Sequence, residues 1–320
     1  GVIVGVKLWC FFGLIDTPLR FTGKQTSKLR HGLASASEVR GTDATGVAYD
    51  FGENLHIYKR PIPGHKLNFY IRNESRFAMG HTRMTTQGNA SRNRNNHPFR
   101  GILPSGSFAL AHNGVLYNDM TLRERLHLPK TRIETDSYIA VQLIEQKGVL
   151  NFDSFRYMAE QLRGSFTITV LDSAGSLYIV KGDNPFCLYF YPSCGLYVYA
   201  STKEILEAAL EKSWLSCLQA ERVDLACGDI LRIDGKGQVS KQWFDSSNLL
   251  DSLYGTSWLY RSHIPRRAEQ AASQDPYLAE LKSVAPTFGY RPEAIDRLFA
   301  SGMEPEEIEE FLCFGGYGEL

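Results

Sequence analysis

Short runs of apolar and β-branched residues recur along most of the chain, and each run has the length and composition of a strand. The run at 54–59 follows the run at 46–49 closely enough to form a hairpin with it. Predicted strands lie at residues 46–49, 54–59, 165–170, 177–180, 196–199 and 228–233, with further apolar runs at 77–79 and 108–110. This pattern predicts that β-sheet forms a large part of the core.

Apolar residues at intervals of three and four predict helices between these strands. Thr26 is expected to cap a helix that ends near Glu38. Further helices are predicted from Asn118 to Leu128, from a Thr135 cap to Gly148, from an Asp153 cap to Leu162, and from Thr202 to Leu210. Helices that accompany two groups of strands are typical of the α+β class.

The pattern weakens near residue 240. Residues 10–240 are predicted to form one domain, followed by a linker at 241–290 with at most one short helix and by a small helical tail at 291–320. The tail carries two helical patterns, marked by Ile295, Leu298 and Phe299 and by Ile308, Phe311 and Leu312.

Composition narrows the classes of partner. The 320 residues hold 35 Lys+Arg and 35 Asp+Glu, so the net charge gives no reason to expect nucleic acid or an anionic membrane as partner. No apolar run reaches the ~18 residues of a membrane-spanning helix. The six cysteines include no C-x-x-C pair, so we predict no metal, no cofactor and reduced thiols in a cytoplasmic protein.

Polar residues of types that often build sites are concentrated between Gly80 and Asp136. Arg83 carries a planar fork of donors that suits a carboxylate. Asp136 offers an acceptor that suits an ammonium group. Together they could bind the two charged ends of a free α-amino acid. The amide of Asn113 and the backbone N–H of Gly114 form the kind of donor pair that stabilises an oxyanion.

These blocks resemble the glutaminase domain of class II glutamine amidotransferases, which are N-terminal-nucleophile hydrolases. The resemblance covers roughly residues 9–235. It rests on five ordered motifs: Arg40-Gly41-Thr42-Asp43-Ala44-Thr45-Gly46, Gly80-His81-Thr82-Arg83, His97-Pro98-Phe99, His112-Asn113-Gly114 and Thr135-Asp136-Ser137. It implies a four-layer αββα sandwich with a glutamine site. In that site Arg83, Thr86, Gln87 and Asp136 would bind the substrate, and Arg40, Asp43, His81 and His97 would support it.

The resemblance also implies a cysteine nucleophile, and Cys10 is the candidate. The family uses a cysteine at the mature N-terminus, where a free α-amine with a pKa of about 7.7–8.0 can accept a proton near neutral pH. Residues 1–9 would then be a leader that is removed. However, alignment on Phe12-Gly13-Leu14-Ile15 puts Cys10 one residue after the family position, which falls on Trp9.

Several explanations of this register remain open. A one-residue deletion could restore the position of Cys10, the N-terminus could be atypical, or a cysteine could have preceded Gly1. Alternatively, Cys10 is a buried strand cysteine with no catalytic role.

Residues 240–320 are too few for the synthase domains that accompany this domain in the family. We therefore predict a stand-alone glutaminase that passes ammonia to an unknown acceptor or partner subunit. Two alternatives are a regulatory pseudoenzyme that binds glutamine without turnover, and an enzyme that acts on another γ-glutamyl or linear amide.

Overall fold

The computed structural model describes residues 10–52, 54–67, 75–85, 88–249, 276–288 and 291–300, together with 305 and 308. The predicted leader at 1–9 lies outside the described residues, as do Thr86 and Gln87 and most of the second helical pattern of the tail. Contacts separate a large unit, Leu8–Leu253, from a smaller one that includes Tyr254–Leu320, and each is described by itself.

Two antiparallel sheets form the centre of the large unit. The strands of the described residues are β1 Cys10–Asp16, β2 Ala44–Phe51, β3 Asn54–Arg60, β4 Phe77–Arg83, β5 Phe99–Leu103, β6 Gly106–Leu116, β7 Gly164–Asp172, β8 Leu177–Val180, β9 Cys187–Tyr191, β10 Leu196–Ala200, β11 Glu221–Arg222, β12 Asp229–Ile233 and β13 Val239–Trp243. One sheet has the order β11-β9-β10-β1-β4-β2-β3, and the other has the order β13-β12-β8-β7-β6-β5. The predicted strands are all present.

Helices cover the outer face of each sheet. The α-helices of the described residues are α1 Gly23–Ala36, α2 Asp119–Arg125, α3 Tyr138–Lys147, α4 Phe152–Gln161, α5 Lys203–Glu211, α6 Pro276–Val284 and α7 Pro292–Ala300. Residues of α1 and α5 share one apolar cluster with the seven-stranded sheet, and residues of α3 and α4 share another with the six-stranded sheet. None of the described helices is long and apolar enough to cross a membrane.

A third apolar cluster lies between the sheets and joins them. Phe11 and Met79 of one sheet pack there with Ala109, Ala111 and Leu171 of the other. Successive strand residues face opposite sides, so every buried strand contributes to this inner cluster and to one outer cluster. The order of layers is therefore αββα, and this confirms the predicted fold class.

Two helices begin earlier than predicted, because their caps form a local motif that apolar spacing does not reveal. Thr22, not Thr26, caps α1, since its side chain accepts from Gln25 N while Gln25 accepts from Thr22 N. Asn151, not Asp153, caps α4 with the same reciprocal bonds to Ser154. Such a capping box satisfies two of the backbone donors that a helix start leaves unpaired.

Helix α3 begins later than predicted, at Tyr138, with Ser137 at its N-cap position. Thr135 therefore does not cap this helix, and Asp136 lies before its first turn. The C-terminal end was predicted correctly. Gly148 follows the helix in the left-handed conformation, with φ of 70°, which glycine adopts at low cost.

The predicted linker at 241–290 contains more structure than expected at its start. Strand β13 extends to Trp243, and its five residues are all exposed, so the sequence lacks the apolar pattern of a buried strand. Phe244 and Leu249 then pack in the outer cluster of the six-stranded sheet.

The smaller unit has an apolar cluster of its own. Its α6 lies where the predicted linker was expected to hold at most one short helix, and α7 matches the first helical pattern of the tail. The cluster comprises Leu278, Leu281, Ala285, Ile295, Leu298 and Ile308. Lys282 Nζ lies 2.5 Å from Asp296 Oδ1, which joins the two helices by an ion pair.

Close packing between β1 and β4 gives a prediction about stability. Phe12 lies directly opposite Gly80, and a Cβ atom added at Gly80 would lie 2.2 Å from the Phe12 ring. We expect Gly80→Ala to lower the free energy of unfolding by about 1–3 kcal/mol through overpacking, measured by urea denaturation.

The matched control for this prediction is Gly32→Ala in α1, where the nearest atom to the added Cβ is 3.8 Å away. A helix-interior alanine with room around it should leave stability unchanged or raise it by about 0.5–1 kcal/mol. Equal effects of the two substitutions would contradict the packing argument.

Candidate functional site

Strand β4 directs two predicted site residues into the space between the sheets. His81 Nε2 lies 3.2 Å from His112 O of the opposite sheet. Thr82, the next residue, donates instead to Ser37 O, 2.9 Å away on the helix side. Because strand residues alternate between faces, Arg83 projects on the same side as His81.

The guanidinium of Arg83 is held by two asparagines. Its Nη1 donates to Asn95 O at 2.8 Å and to Asn96 Oδ1 at 2.7 Å. Burial lowers the pKa of Arg83, whereas the nearby carboxylates of Asp43 and Asp136 raise it. Arg83 is only 2% exposed, so a charge that water does not solvate is compensated by fixed protein groups.

Glu134 fixes the loop that carries these asparagines. Asn95 Oδ1 accepts from Glu134 N at 3.0 Å, and Asn95 Nδ2 donates to Glu134 Oε2 at 2.9 Å. Arg92 reaches the same carboxylate at 2.5 Å. The sequence analysis missed Asn95, Asn96 and Glu134. Two adjacent amides before His97 were the available signal, since an amide can both donate and accept.

Lys59 is a further residue that the sequence analysis missed. Its Nζ donates to Asn96 O at 2.5 Å and to Pro98 O at 3.0 Å, and it lies 5.1 Å from the centre of the Phe99 ring. Burial lowers the pKa of Lys59 to about 8, and the charges of Arg83 and Arg100 lower it further. This amine ties the loop to β3.

Asp136 is buried near Arg83 and bonded to backbone on both sides. Its Oδ2 accepts from Leu116 N at 2.7 Å, and its Oδ1 accepts from Ser137 N at 2.8 Å. Burial raises the pKa of the Asp136 carboxyl to about 6, although the bonds from Leu116 and Ser137 act in the opposite direction. The carboxylate is thus rigidly oriented and close to titration at neutral pH.

Three histidines form a buried group beside Arg83. The His97 ring centre lies 4.2 Å from that of His81 and 6.5 Å from that of His112. Burial lowers the pKa of His81 to about 3 and that of His97 well below its usual value. Both imidazoles are therefore neutral near pH 7, which suits packing and hydrogen bonding rather than proton transfer.

Asn113 and Gly114 lie at the end of β6 that approaches β1. Asn113 Nδ2 lies 2.6 Å from Ser201 Oγ, and that hydroxyl accepts from Phe11 N at 2.9 Å. Gly114 has φ of 131°, and a Cβ atom there would lie 1.8 Å from Ser165 O. No other residue type fits at Gly114 without moving the backbone of β7.

The turn at Arg40–Asp43 supports the end of β4. Asp43 Oδ2 accepts from Thr85 N at 2.8 Å, and Asp43 N donates to Arg83 O at 2.9 Å. A Cβ atom at Gly41 would lie 2.4 Å from the Arg83 carbonyl carbon, so the turn packs against backbone. This contact explains why Asp43 lies close to the guanidinium of Arg83.

Cys10 lies near the site in sequence register, but its sulfur faces the helices. Cys10 pairs with Thr82 across β1 and β4 and is completely buried. It shares an apolar cluster with Leu29 and Leu33 of α1, and its Sγ lies 3.4 Å from Phe11 O. The structure thus brings Arg83, Asp136 and their supporting residues together, while the thiol lies on the opposite face of the sheet.

Among the residues that the structure describes, no group of three or more His, Cys, Asp or Glu side chains is placed to hold a metal ion. The charges of the site are therefore those of Arg83, Asp43, Asp136 and Lys59.

Comparison with known sequences identifies relatives of the central part of the chain. Residues 81–208 match a family model described as a glutamine amidotransferase domain. The glutamine–fructose-6-phosphate aminotransferase (isomerizing) of Bacillus licheniformis is 34% identical over 156 residues, which are 46% of this chain and 26% of the relative. The same enzyme of Thermococcus kodakarensis is 33% identical over 162 residues, which are 47% and 26% of the two chains.

The chain thus spans about a quarter of the length of these curated relatives. Two solved structures share its fold. A glutamine phosphoribosylpyrophosphate amidotransferase from B. subtilis, complexed with ADP and GMP, has a TM-score of 0.57 and 20% identity over 74% of this chain and 49% of that one. A structure described as the allosteric regulatory enzyme of purine biosynthesis has a TM-score of 0.58 with the same identity and coverage.

The lowered pKa of Lys59 gives a prediction about stability and pH. Because the folded amine titrates near pH 8 and an unfolded lysine near pH 10.4, the unfolded chain binds more protons in this window. The contribution of Lys59 therefore makes the free energy of unfolding rise with pH from about 8 to about 10.

Lys59→Met removes this titration, and so does Lys59→Arg, since arginine stays charged throughout this range. We expect the difference in free energy of unfolding between wild type and each variant to shift in favour of wild type as pH rises, measured by urea denaturation at several pH values. A difference that does not change with pH would show that Lys59 is not desolvated in this way.

Proposed function

We propose that this chain, which carries a glutamine amidotransferase domain of the class II type, hydrolyses the side-chain amide of glutamine to glutamate and ammonia. One observation carries the proposal. A buried arginine and a buried carboxylate, Arg83 and Asp136, lie close enough for the carboxylate to raise the pKa of the guanidinium. The oxyanion candidates Asn113 and Gly114 lie two residues from Leu116, whose N–H bonds to that carboxylate.

The two charges would bind the two ends of the amino acid. Arg83 would take the α-carboxylate, and its rigid support by Asn95 and Asn96 reduces the entropy lost on binding. Asp136 would take the α-ammonium group. Thr86 and Gln87, which lie outside the described residues, are proposed to line the pocket for the glutamine side chain.

The chemistry would follow the covalent route of a thiol nucleophile. The Cys10 thiolate attacks the amide carbon, forming a C–S bond and an oxyanion that Asn113 and Gly114 stabilise. Collapse breaks the C–N bond, and nitrogen leaves as ammonia with the proton first taken from the thiol. Water then attacks the thioester carbon and breaks the C–S bond, which releases glutamate and restores the thiol.

The proposal places a requirement on Cys10. Its side chain has to turn from the helix layer toward the space between the sheets, where the oxyanion donors lie. A free α-amine at Cys10 would release the first residue of β1 from the preceding peptide bond, so that this turn becomes sterically simple. The same amine would serve as the general base.

The fate of the ammonia is a separate proposal. The curated relatives are named for amino transfer to fructose-6-phosphate, and this chain spans about a quarter of their length. We propose that ammonia from this site is used by an acceptor domain or a partner protein, whose identity the glutamine site does not specify.

Ammonia release from glutamine tests the proposed reaction. Protein whose N-terminal residue is confirmed by mass spectrometry to be Cys10 is expected to release ammonia from glutamine, and Cys10→Ala is expected to abolish release. Arg83→Lys keeps the charge but loses the planar fork, so KM for glutamine should rise about 10- to 100-fold. Arg163→Lys, at an exposed position outside the site, is the control.

The outcomes separate the parts of the proposal. Binding of glutamine by calorimetry without ammonia release would contradict hydrolysis and support a regulatory binding role. Full activity in Cys10→Ala would contradict the assignment of the nucleophile alone.

The raised pKa of Asp136 gives a prediction about substrate binding and pH. Below about pH 6 the carboxyl is protonated, and a neutral group no longer attracts the α-ammonium of glutamine. We therefore expect kcat/KM for glutamine to fall as pH falls through about 6. This ratio reports titration of the free enzyme.

Glutaramate, which has the side-chain amide and a carboxylate but no α-amine, is the matched control substrate. Its kcat/KM should be lower than that of glutamine at pH 7 and should lack the fall attributed to Asp136. An identical pH profile for both substrates would show that Asp136 does not bind the amine.

A further inference from the structure

We infer that the hydroxyl of Ser201 orients the side-chain amide of Asn113, so that the NH2 group faces the space between the sheets as an oxyanion donor. Ser201 would act as a positioning residue, because its hydroxyl reaches Asn113 and the backbone of β1. The catalytic consequence rests on the proposed function, whereas the orientation of the amide can be measured without it.

Ser201 is fixed on both sides by β1. It follows the last residue of β10, is completely buried, and donates its backbone N–H to Phe11 O at 3.0 Å. Its hydroxyl oxygen accepts from Phe11 N at 2.9 Å. The hydroxyl therefore has a defined position between the two sheets.

The backbone of Asn113 is fixed as well. Asn184 Nδ2 donates to Asn113 O at 2.8 Å, and a bond of 3.0 Å from the same amide to Ser165 Oγ ties Asn184 to β7. With its main chain held, Asn113 retains rotation of its terminal amide as the main freedom at the end of its side chain. The contact with Ser201 decides that rotation.

The length of that contact indicates which amide atom faces Ser201. Asn113 Nδ2 lies 2.6 Å from Ser201 Oγ. N–H···O bonds cluster at about 2.9–3.0 Å, whereas O–H···O bonds cluster at about 2.7–2.8 Å. A separation of 2.6 Å therefore suits a bond in which the serine hydroxyl donates to the amide oxygen.

Donors and acceptors lead to the same conclusion. With Nδ2 toward Ser201, the hydroxyl accepts two bonds, and its own proton is left with Phe11 O at 3.4 Å, an atom that already accepts from Ser201 N. Asn113 Oδ1 is then buried without a hydrogen-bond partner among the described residues. An unpaired buried acceptor costs about 1–3 kcal/mol.

A half-turn of the amide about its last side-chain bond resolves this conflict. Oδ1 then accepts the hydroxyl proton of Ser201, and NH2 takes the position on the other side of the amide plane. Its two donors face the inter-sheet space and are paired when an oxyanion forms there. Donors that are already oriented and poorly solvated stabilise developing negative charge most strongly.

Kinetics of single and double variants test the positioning role. Removing an oxyanion donor typically lowers kcat by about 10²–10³-fold, and we expect this of Asn113→Ala. Ser201→Ala should lower kcat by about 10-fold with little change in KM, because the amide remains but is no longer oriented. In the Asn113→Ala background, Ser201→Ala should have no further effect on kcat.

A structural role alone would give another result. If Ser201 only stabilised the fold, its effect on kcat would multiply with that of Asn113→Ala, and this outcome would overturn the inference. Ser154→Ala is the matched control, since Ser154 is also a buried serine that accepts a backbone bond, but at the start of α4. It should lower stability without lowering kcat.

An NMR measurement tests the orientation even if the protein releases no ammonia. In protein with 15N-labelled asparagine, the side-chain NH2 signal of Asn113 is identified by its loss in Asn113→Ala. We expect no nuclear Overhauser effect between these protons and the β-protons of Ser201. A strong effect would place NH2 against Ser201 and would overturn the inference, whatever the activity. Its absence, in protein without ammonia release, would leave the orientation supported and the proposed function rejected.

Discussion

The buried charge of Arg83 is the constraint on which the arrangement of the site depends. Removing a guanidinium from water costs several kcal/mol unless fixed partners replace the water. Three separate segments supply those partners: the turn before β2 brings Asp43, the loop before β5 brings Asn95 and Asn96, and the segment before α3 brings Asp136. The charge therefore explains why these segments converge at the end of β4.

The same charge also accounts for the state of its neighbours. Arg83 lowers the pKa values of His81, His97 and Lys59, in each case after the larger effect of burial. A positive group beside Arg83 is disfavoured, so the imidazoles stay neutral and pack as rings. The result is a site with one permanent positive charge and a nearby carboxylate, which is the pattern that a small zwitterion matches.

A second set of contacts couples the sheets at the start of β1. Ser201 joins the backbone of Phe11 to the side chain of Asn113, and His81 reaches the backbone of His112. These bonds fix the oxyanion candidates relative to β1. The thiol of Cys10 lies outside this arrangement, because strand alternation turns it toward α1. The nucleophile is therefore the one member of the proposed machinery whose placement depends on a change at the chain start.

The sequence alone determined the fold class and the identity of the charged residues, because strand composition and ordered motifs are local properties. Resemblance to class II glutamine amidotransferases, now supported by the family match and by relatives of known name, gave Arg83, Asn113 and Asp136 before any coordinates. Helix ends were less accurate, as at Thr22 and Asn151, because capping depends on reciprocal bonds that apolar spacing does not reveal.

Only the tertiary structure decided which residues support those charges. Glu134 bonds to Asn95 across 39 residues and Lys59 to Asn96 across 37, and Ser201 reaches Asn113 across 88. No pattern along the chain identifies such pairs, because each depends on how strands from different parts of the sequence are placed in the two sheets. The facing of Cys10 was decided in the same way, since the side of a strand that meets the inner or the outer layer is set by its register with β4.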